Sequence, residues 1–140
     1  DLDPSNKEYY NENLATFTEQ LNNLDNDFKT QLSNVSNKKI VVSHEAYSYL
    51  CSAYGLEQTS IDGISADSEP SPAKMKEIAD YIKANNVKYI FFEELVSPKI
   101  AQSLADETGV QLLALNPFEG LEQEDIDTIF QLWKKTLKIL

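Results

Sequence analysis

Beyond Lys38 the sequence alternates short apolar runs with longer amphipathic segments, and that alternation restricts the available folds more than any other feature. The short segments at 40–42, 57–61, 89–92 and 110–115 predict four strands. A helix is expected from Glu45-Ala46-Tyr47, directly after the first of them. Later segments carry start signals: Ser71-Pro72 precedes Met75, Ile78, Ala79 and Ile82, and Ser97-Pro98 precedes Ile100, Ala101 and Leu104. Serine can accept from the first-turn N–H groups, and proline fits the opening position, where no N–H is needed. Thr108-Gly109 supplies a stop, while Glu122, Glu124 and Asp125 suit the positive end of a last helix carrying Ile126, Ile129, Phe130, Trp133 and Leu137. Strands joined through helices pair in parallel, and right-handed crossovers distribute those helices over the sheet. The expected class is α/β: a four-stranded, mainly parallel sheet with helices on both faces, preceded by a long amphipathic helix.

That preceding helix is marked by Tyr10, Leu14, Phe17, Leu21, Leu24 and Phe28, whose alternating spacings of four and three draw one stripe along a helical surface. Asp3 before Pro4, with Ser5 three residues ahead of Glu8 as a capping box, signals its start, and 33–37 its end. The plainest partner for the stripe is the body of the same domain, because a coiled-coil seam usually runs longer. A surface outside this chain is the other reading. The expected division is 1–36 as helix and 37–140 as an α/β body.

Composition removes several functional classes. With 140 residues, 41% of them hydrophobic, the chain can bury one core. Its 23 acidic against 12 basic side chains give a net charge of −11, which repels nucleic-acid phosphates and anionic lipid, so no nucleic-acid partner is expected. The single Cys51 rules out an intramolecular disulfide and a multi-cysteine zinc site. No apolar run approaches the ~18 residues of a spanning helix, and Asp1-Leu2-Asp3-Pro4 has none of the features of a leader.

Open parallel sheets bind ligands beyond the carboxyl ends of their strands, so function is sought at that edge. The only histidine, His44, follows the first strand, Glu93 and Glu94 follow the third, and Asn116-Pro117-Phe118-Glu119-Gly120 follows the fourth. Imidazole nitrogen and carboxylate oxygen both ligate zinc, which makes His44 and Glu119 the candidate metal ligands. Spacing alone also fits a capping or surface histidine. Neighbouring residues of extended chain point to opposite sides, so one of Glu93 and Glu94 is expected to support the site and the other to be solvated. Glu93 is suited to accept the second ring N–H of His44, with a surface acid as the alternative, and Ser43 is a further supporting donor. Tyr47 reads as core packing, while Asn116 and Pro117 shape the turn before Glu119.

An enzyme is not expected. The chain has no Gly-x-Ser-x-Gly elbow and no glycine-rich phosphate loop, and Cys51 falls inside a predicted helix among apolar neighbours, where a thiol is inert. A receiver-like signalling domain would need an aspartate after the central strand, where this chain carries glutamates.

Five blocks in order, Ile40-Val41-Val42-Ser43-His44-Glu45-Ala46-Tyr47-Ser48-Tyr49-Leu50, Tyr54-Gly55-Leu56, Glu69-Pro70-Ser71-Pro72, Tyr89-Ile90-Phe91-Phe92-Glu93-Glu94 and Leu115-Asn116-Pro117-Phe118-Glu119-Gly120-Leu121, resemble the metal-specific substrate-binding proteins of ABC transporters, the cluster A-I family. The likeness is greatest to the zinc-binding ZnuA and AdcA types. The opening Leu2-Asp3-Pro4-Ser5-Asn6 with Tyr9-Tyr10 resembles the start of the long helix joining the two lobes of such proteins. The resemblance implies that residues 1–36 are that linking helix and 37–140 the carboxy-terminal lobe. Family members hold metal between lobes with two histidines from the amino-terminal lobe, one histidine or acid from the carboxy-terminal lobe, and often a further carboxylate. His44 matches the carboxy-lobe histidine, and Glu119 the late-loop glutamate of Gram-positive zinc members. Manganese members tend to carry an acid at the position of His44, so Zn2+ is favoured over Mn2+.

The function so implied is high-affinity zinc capture for an ABC importer, by a carrier and not a catalyst. The implied partners are the missing amino-terminal lobe and a membrane permease, with a homodimer of the lobe through its uncovered stripe as a further arrangement. The implied place is extracytoplasmic, lipid-anchored on a Gram-positive membrane or periplasmic. With only part of the ligand set, this chain is expected to bind Zn2+ weakly or not at all.

Overall fold

The computed structural model describes residues 2–61, 70–93, 97–117, 131, 134 and 136–138. The chain divides into two compact units, Asp1–Asn34 with Ile126–Lys138 and Leu140, and Val35–Asp125 with Ile139.

In the first unit a short 3-10 turn, Pro4–Asn6, leads into helix α1, Lys7–Ser33, which is 27 residues long. The Ser5–Glu8 capping box is not formed. Pro4 opens the 3-10 turn, Asn6 becomes the residue before α1 without a side-chain cap, and Ser5 Oγ donates to Asp3 Oδ1 at 2.9 Å. Asp3 instead gathers Asn6 Nδ2 at 2.8 Å and the Tyr10 hydroxyl at 2.9 Å. These bonds, that from Asn6 foremost, hold its carboxyl below the ordinary range. The helical stripe is real but unevenly covered. Leu24, Phe28 and Leu32 are buried, whereas Tyr10, Leu14, Phe17 and Leu21 remain between 42% and 63% exposed. Of the expected last helix, Leu137 is described and is buried in helical backbone. Ile126, Ile129, Phe130 and Trp133, with Glu122, Glu124 and Asp125, lie outside the described residues.

The second unit is built on strands β1 (Lys39–Val42), β2 (Glu57–Ser60), β3 (Tyr89–Phe92) and β4 (Gln111–Ala114), with helices α2 (Ser48–Tyr54), α3 (Pro72–Ala84) and α4 (Lys99–Thr108). All pairings are parallel and the order is β2-β1-β3-β4. From β1 the chain steps to one side to make β2, then crosses back to β3 and on to β4. Right-handed crossovers therefore set α2 on one face and α3 and α4 on the other. The core on the latter face follows this rule: Ile78, Ala79 and Ile82 of α3 and Ala101, Leu104 and Ala105 of α4 close over Val41 and Ile90, the mid-strand residues that share that face.

Helix ends show which local signals prevail. Ser71 Oγ accepts from Lys74 N at 3.2 Å, as a serine before Pro72 should. Ser97 does not cap α4, because the cap position falls on Pro98, whose carbonyl accepts from Gln102 N at 2.7 Å. Gly55 and Gly109 end α2 and α4 in the left-handed conformation, at φ 70° and 72°, where a residue with a Cβ is strained. Helix α2 begins three residues later than its sequence suggests, since Ser43, His44 and Glu45 form a bend before it.

Candidate metal centre

The strand order reverses direction between β1 and β3, so the crevice of this sheet lies at their carboxyl ends. Register decides which residues meet there. Val41 pairs with Ile90 and Val42 with Phe91, and Ser43 N extends the ladder by donating to Phe91 O at 2.9 Å. Continuing residue by residue sets His44 beside Glu93. The three polar residues gathered here are all buried: Ser43 and His44 are 8% exposed and Glu93 is 6% exposed. Ser43 Oγ donates to Glu93 Oε1 at 3.2 Å, and His44 Nδ1 is in direct contact with that same oxygen. The backbone turns sharply at this point, with Ala46 N donating to His44 O at 3.0 Å.

Tyr47 ties this bend down from the other side. Its ring is buried, as expected of a core residue, but its hydroxyl also donates to Leu115 O at 2.5 Å, while Leu115 N donates to Phe92 O at 2.8 Å. Tyr47 N donates to Gln58 Oε1 at 3.2 Å, and Gln58 Nε2 donates to Ser48 Oγ at 2.7 Å. Gln58 thus holds the start of α2, a role with no sequence signature. The link to Leu115 had one, since a buried tyrosine hydroxyl requires an acceptor.

Of the residues singled out from the sequence, the structure brings Ser43, His44 and Glu93 together. Glu94 and Glu119 lie outside the described residues. Among the described residues no group of three or more His, Cys, Asp and Glu side chains forms a metal cluster. An imidazole braced by a carboxylate can donate one nitrogen to a metal, and further ligands would have to join it. Cys51 is buried, and burial pushes its thiol up to about 11, which keeps it protonated and unreactive near neutral pH. A cavity of about 260 Å³ lined by Val87, Lys88, Tyr89, Gly109, Val110 and Gln111 lies at the amino-terminal edge of the sheet, away from His44. It offers neither imidazole nor carboxylate.

The geometry is that of a parallel α/β unit with a histidine against a carboxylate at its switch point, and comparison with known proteins gives its family. All of residues 1–140 match the ZnuA family, described as zinc-uptake complex component A, periplasmic, and the chain belongs to that family. It is 42% identical over 125 residues to the high-affinity zinc uptake system protein ZnuA of Bacillus subtilis, covering 89% of this chain and 39% of that protein. It is 39% identical over 140 residues to the zinc-binding lipoprotein AdcA of Streptococcus pneumoniae, covering 98% of this chain and 28% of AdcA. The solved Zn(II)-bound ZnuA-like domain of Streptococcus pneumoniae AdcA superposes with a TM-score of 0.80 at 39% identity, over 97% of this chain and 52% of that one. The chain therefore spans well under half the length of these two curated relatives.

Proposed function

We propose that this chain is the linking helix, 1–36, and carboxy-terminal lobe, 37–140, of a substrate-binding protein that captures zinc for an ABC importer. His44 and Glu119 are its contributions to a metal site completed by an amino-terminal lobe. The observation that carries the reading is the buried contact between His44 Nδ1 and Glu93 at the β1/β3 switch point, in a chain matched along its whole length by a zinc-uptake family. Imidazole favours zinc over manganese, which prefers oxygen donors. The exposed half of the α1 stripe, Tyr10 to Leu21, is the surface an amino-terminal lobe would cover.

In this reading the protein is a carrier, not an enzyme. Zinc is cargo, bound outside the cytoplasm and passed to a permease, with the protein either lipid-anchored or free in a periplasm. Two zinc relatives support this, one a zinc-binding lipoprotein and the other a high-affinity zinc uptake system protein. The test is calorimetric titration of zinc into the full-length protein. His44→Ala should weaken binding by more than the roughly 10–100-fold that loss of a supporting residue costs. An unchanged affinity would overturn the assignment.

A further inference from the structure

We propose that Glu93 is the positioning residue of His44: one buried carboxylate oxygen takes both the Nδ1 proton of the ring and the Ser43 hydroxyl, so that the imidazole offers Nε2 to its ligand. The role in zinc capture rests on the function proposed above, whereas the tautomer does not.

The geometry is specific. Ser43 and His44 are consecutive, and both reach Oε1 of a residue 50 and 49 positions further along the chain. Sheet register brings the two segments together, because His44 and Glu93 are each the second residue beyond the pair formed by Val42 and Phe91, and the bend at Ser43–Glu45 follows directly on β1. An ionised carboxylate only accepts hydrogen bonds. With Glu93 in that form both neighbours donate to it, and a neutral imidazole that donates from Nδ1 carries its lone pair on Nε2. Burial strengthens the constraint. At 6% exposure Glu93 has little water to replace either donor, so each lost bond leaves a poorly solvated oxygen. Ser43 fixes the carboxylate from one side, and the ring is held against it before any metal arrives. That pre-organisation is the supporting arrangement metal-bound histidines use in general.

The chain has one histidine, so its imidazole gives a single pair of ring nitrogen signals that can be assigned without ambiguity. Proton–nitrogen correlation spectra of the metal-free chain, recorded above the ordinary imidazole titration range, should show the Nδ1–H tautomer. In Glu93→Ala the ring should move toward the Nε2–H form or a mixture, and in Ser43→Ala it should keep Nδ1–H. An Nε2–H ring in the unsubstituted chain overturns the proposal, and this outcome does not depend on any variant folding. Zinc competition on the full-length protein forms the second arm. Glu93→Ala should lower affinity roughly 10–100-fold. A changed tautomer with unchanged affinity overturns the positioning role. Failure of the unsubstituted full-length protein to bind zinc would overturn the metal reading instead, leaving the tautomer decided by the spectrum.

Discussion

The hydroxyl of Tyr47 donates to the carbonyl oxygen of Leu115 at 2.5 Å, joining the segment after β1 to the end of β4, with β3 between them in the sheet order. Tyr47 stands three residues from His44, and Leu115 four from Glu119, so the bond connects the two chain segments that carry the proposed ligands.

Tyr47→Phe keeps the ring and removes only that donor. Its cost should be about 1–3 kcal/mol, the penalty of a buried carbonyl left without its partner. Urea denaturation should show a lower midpoint with an unchanged slope, because the surface exposed on unfolding is the same. Zinc should also bind the full-length variant more weakly, although its ligands are intact.

Two serines that look alike in sequence should behave differently. Ser71→Ala removes the acceptor for Lys74 N and should cost about 1 kcal/mol, the usual value of a helix cap. Ser97→Ala should lie within about 0.5 kcal/mol of the unsubstituted chain, because α4 has no side-chain cap. Thermal or urea unfolding of the pair measures the contrast. Equal losses would show that Ser97 caps α4 in solution.

This contrast marks how far the sequence could be followed. Strand β3 coincides with its expected span, Tyr89–Phe92, because an uninterrupted apolar run between polar residues has one economical fate in a parallel sheet. The helix end at Gly109 was equally legible, since its left-handed backbone favours glycine. The Ser5–Glu8 box failed because Asp3, two residues earlier, competes for Ser5 and Asn6. The expected start of α2 failed because His44 and Glu45 form a bend and Gln58 takes Tyr47 N. At the site, a partnership of His44 with Glu93 could be framed from strand ends. Which oxygen, and its sharing with Ser43, required the β1–β3 register, which no local pattern encodes.

Burial holds the Cys51 thiol at about 11, against an ordinary 9.0. A thiol whose pKa rises on folding binds its proton more tightly in the native state. The resulting stabilisation is complete below 9.0 and is lost as pH climbs through about 11. Urea midpoints of the chain should therefore fall more steeply across that alkaline window than those of Cys51→Ala. Labelling by a thiol reagent should be slow at neutral pH and accelerate on unfolding.

Zinc affinity of this chain alone follows from counting ligands. Structural zinc sites use four protein ligands and catalytic ones three with a water, whereas the described residues gather no cluster of three. On the proposed reading His44 supplies one nitrogen and Glu119 one carboxylate. Water must fill the remaining positions, and each water left bound forgoes the gain of a pre-placed protein donor. Calorimetry on the chain should find weak binding, far below that of the full-length protein. Nanomolar one-to-one binding would mean that further ligands are present or that two chains share the ion. The two proposed ligands should also differ in the full-length protein. His44→Ala removes a nitrogen donor held in place by Glu93, which solvent does not reproduce, while Glu119→Ala removes an oxygen donor that water can replace. His44→Ala should therefore cost more affinity than Glu119→Ala, and the reverse order would place the principal carboxy-lobe ligand on the loop after β4.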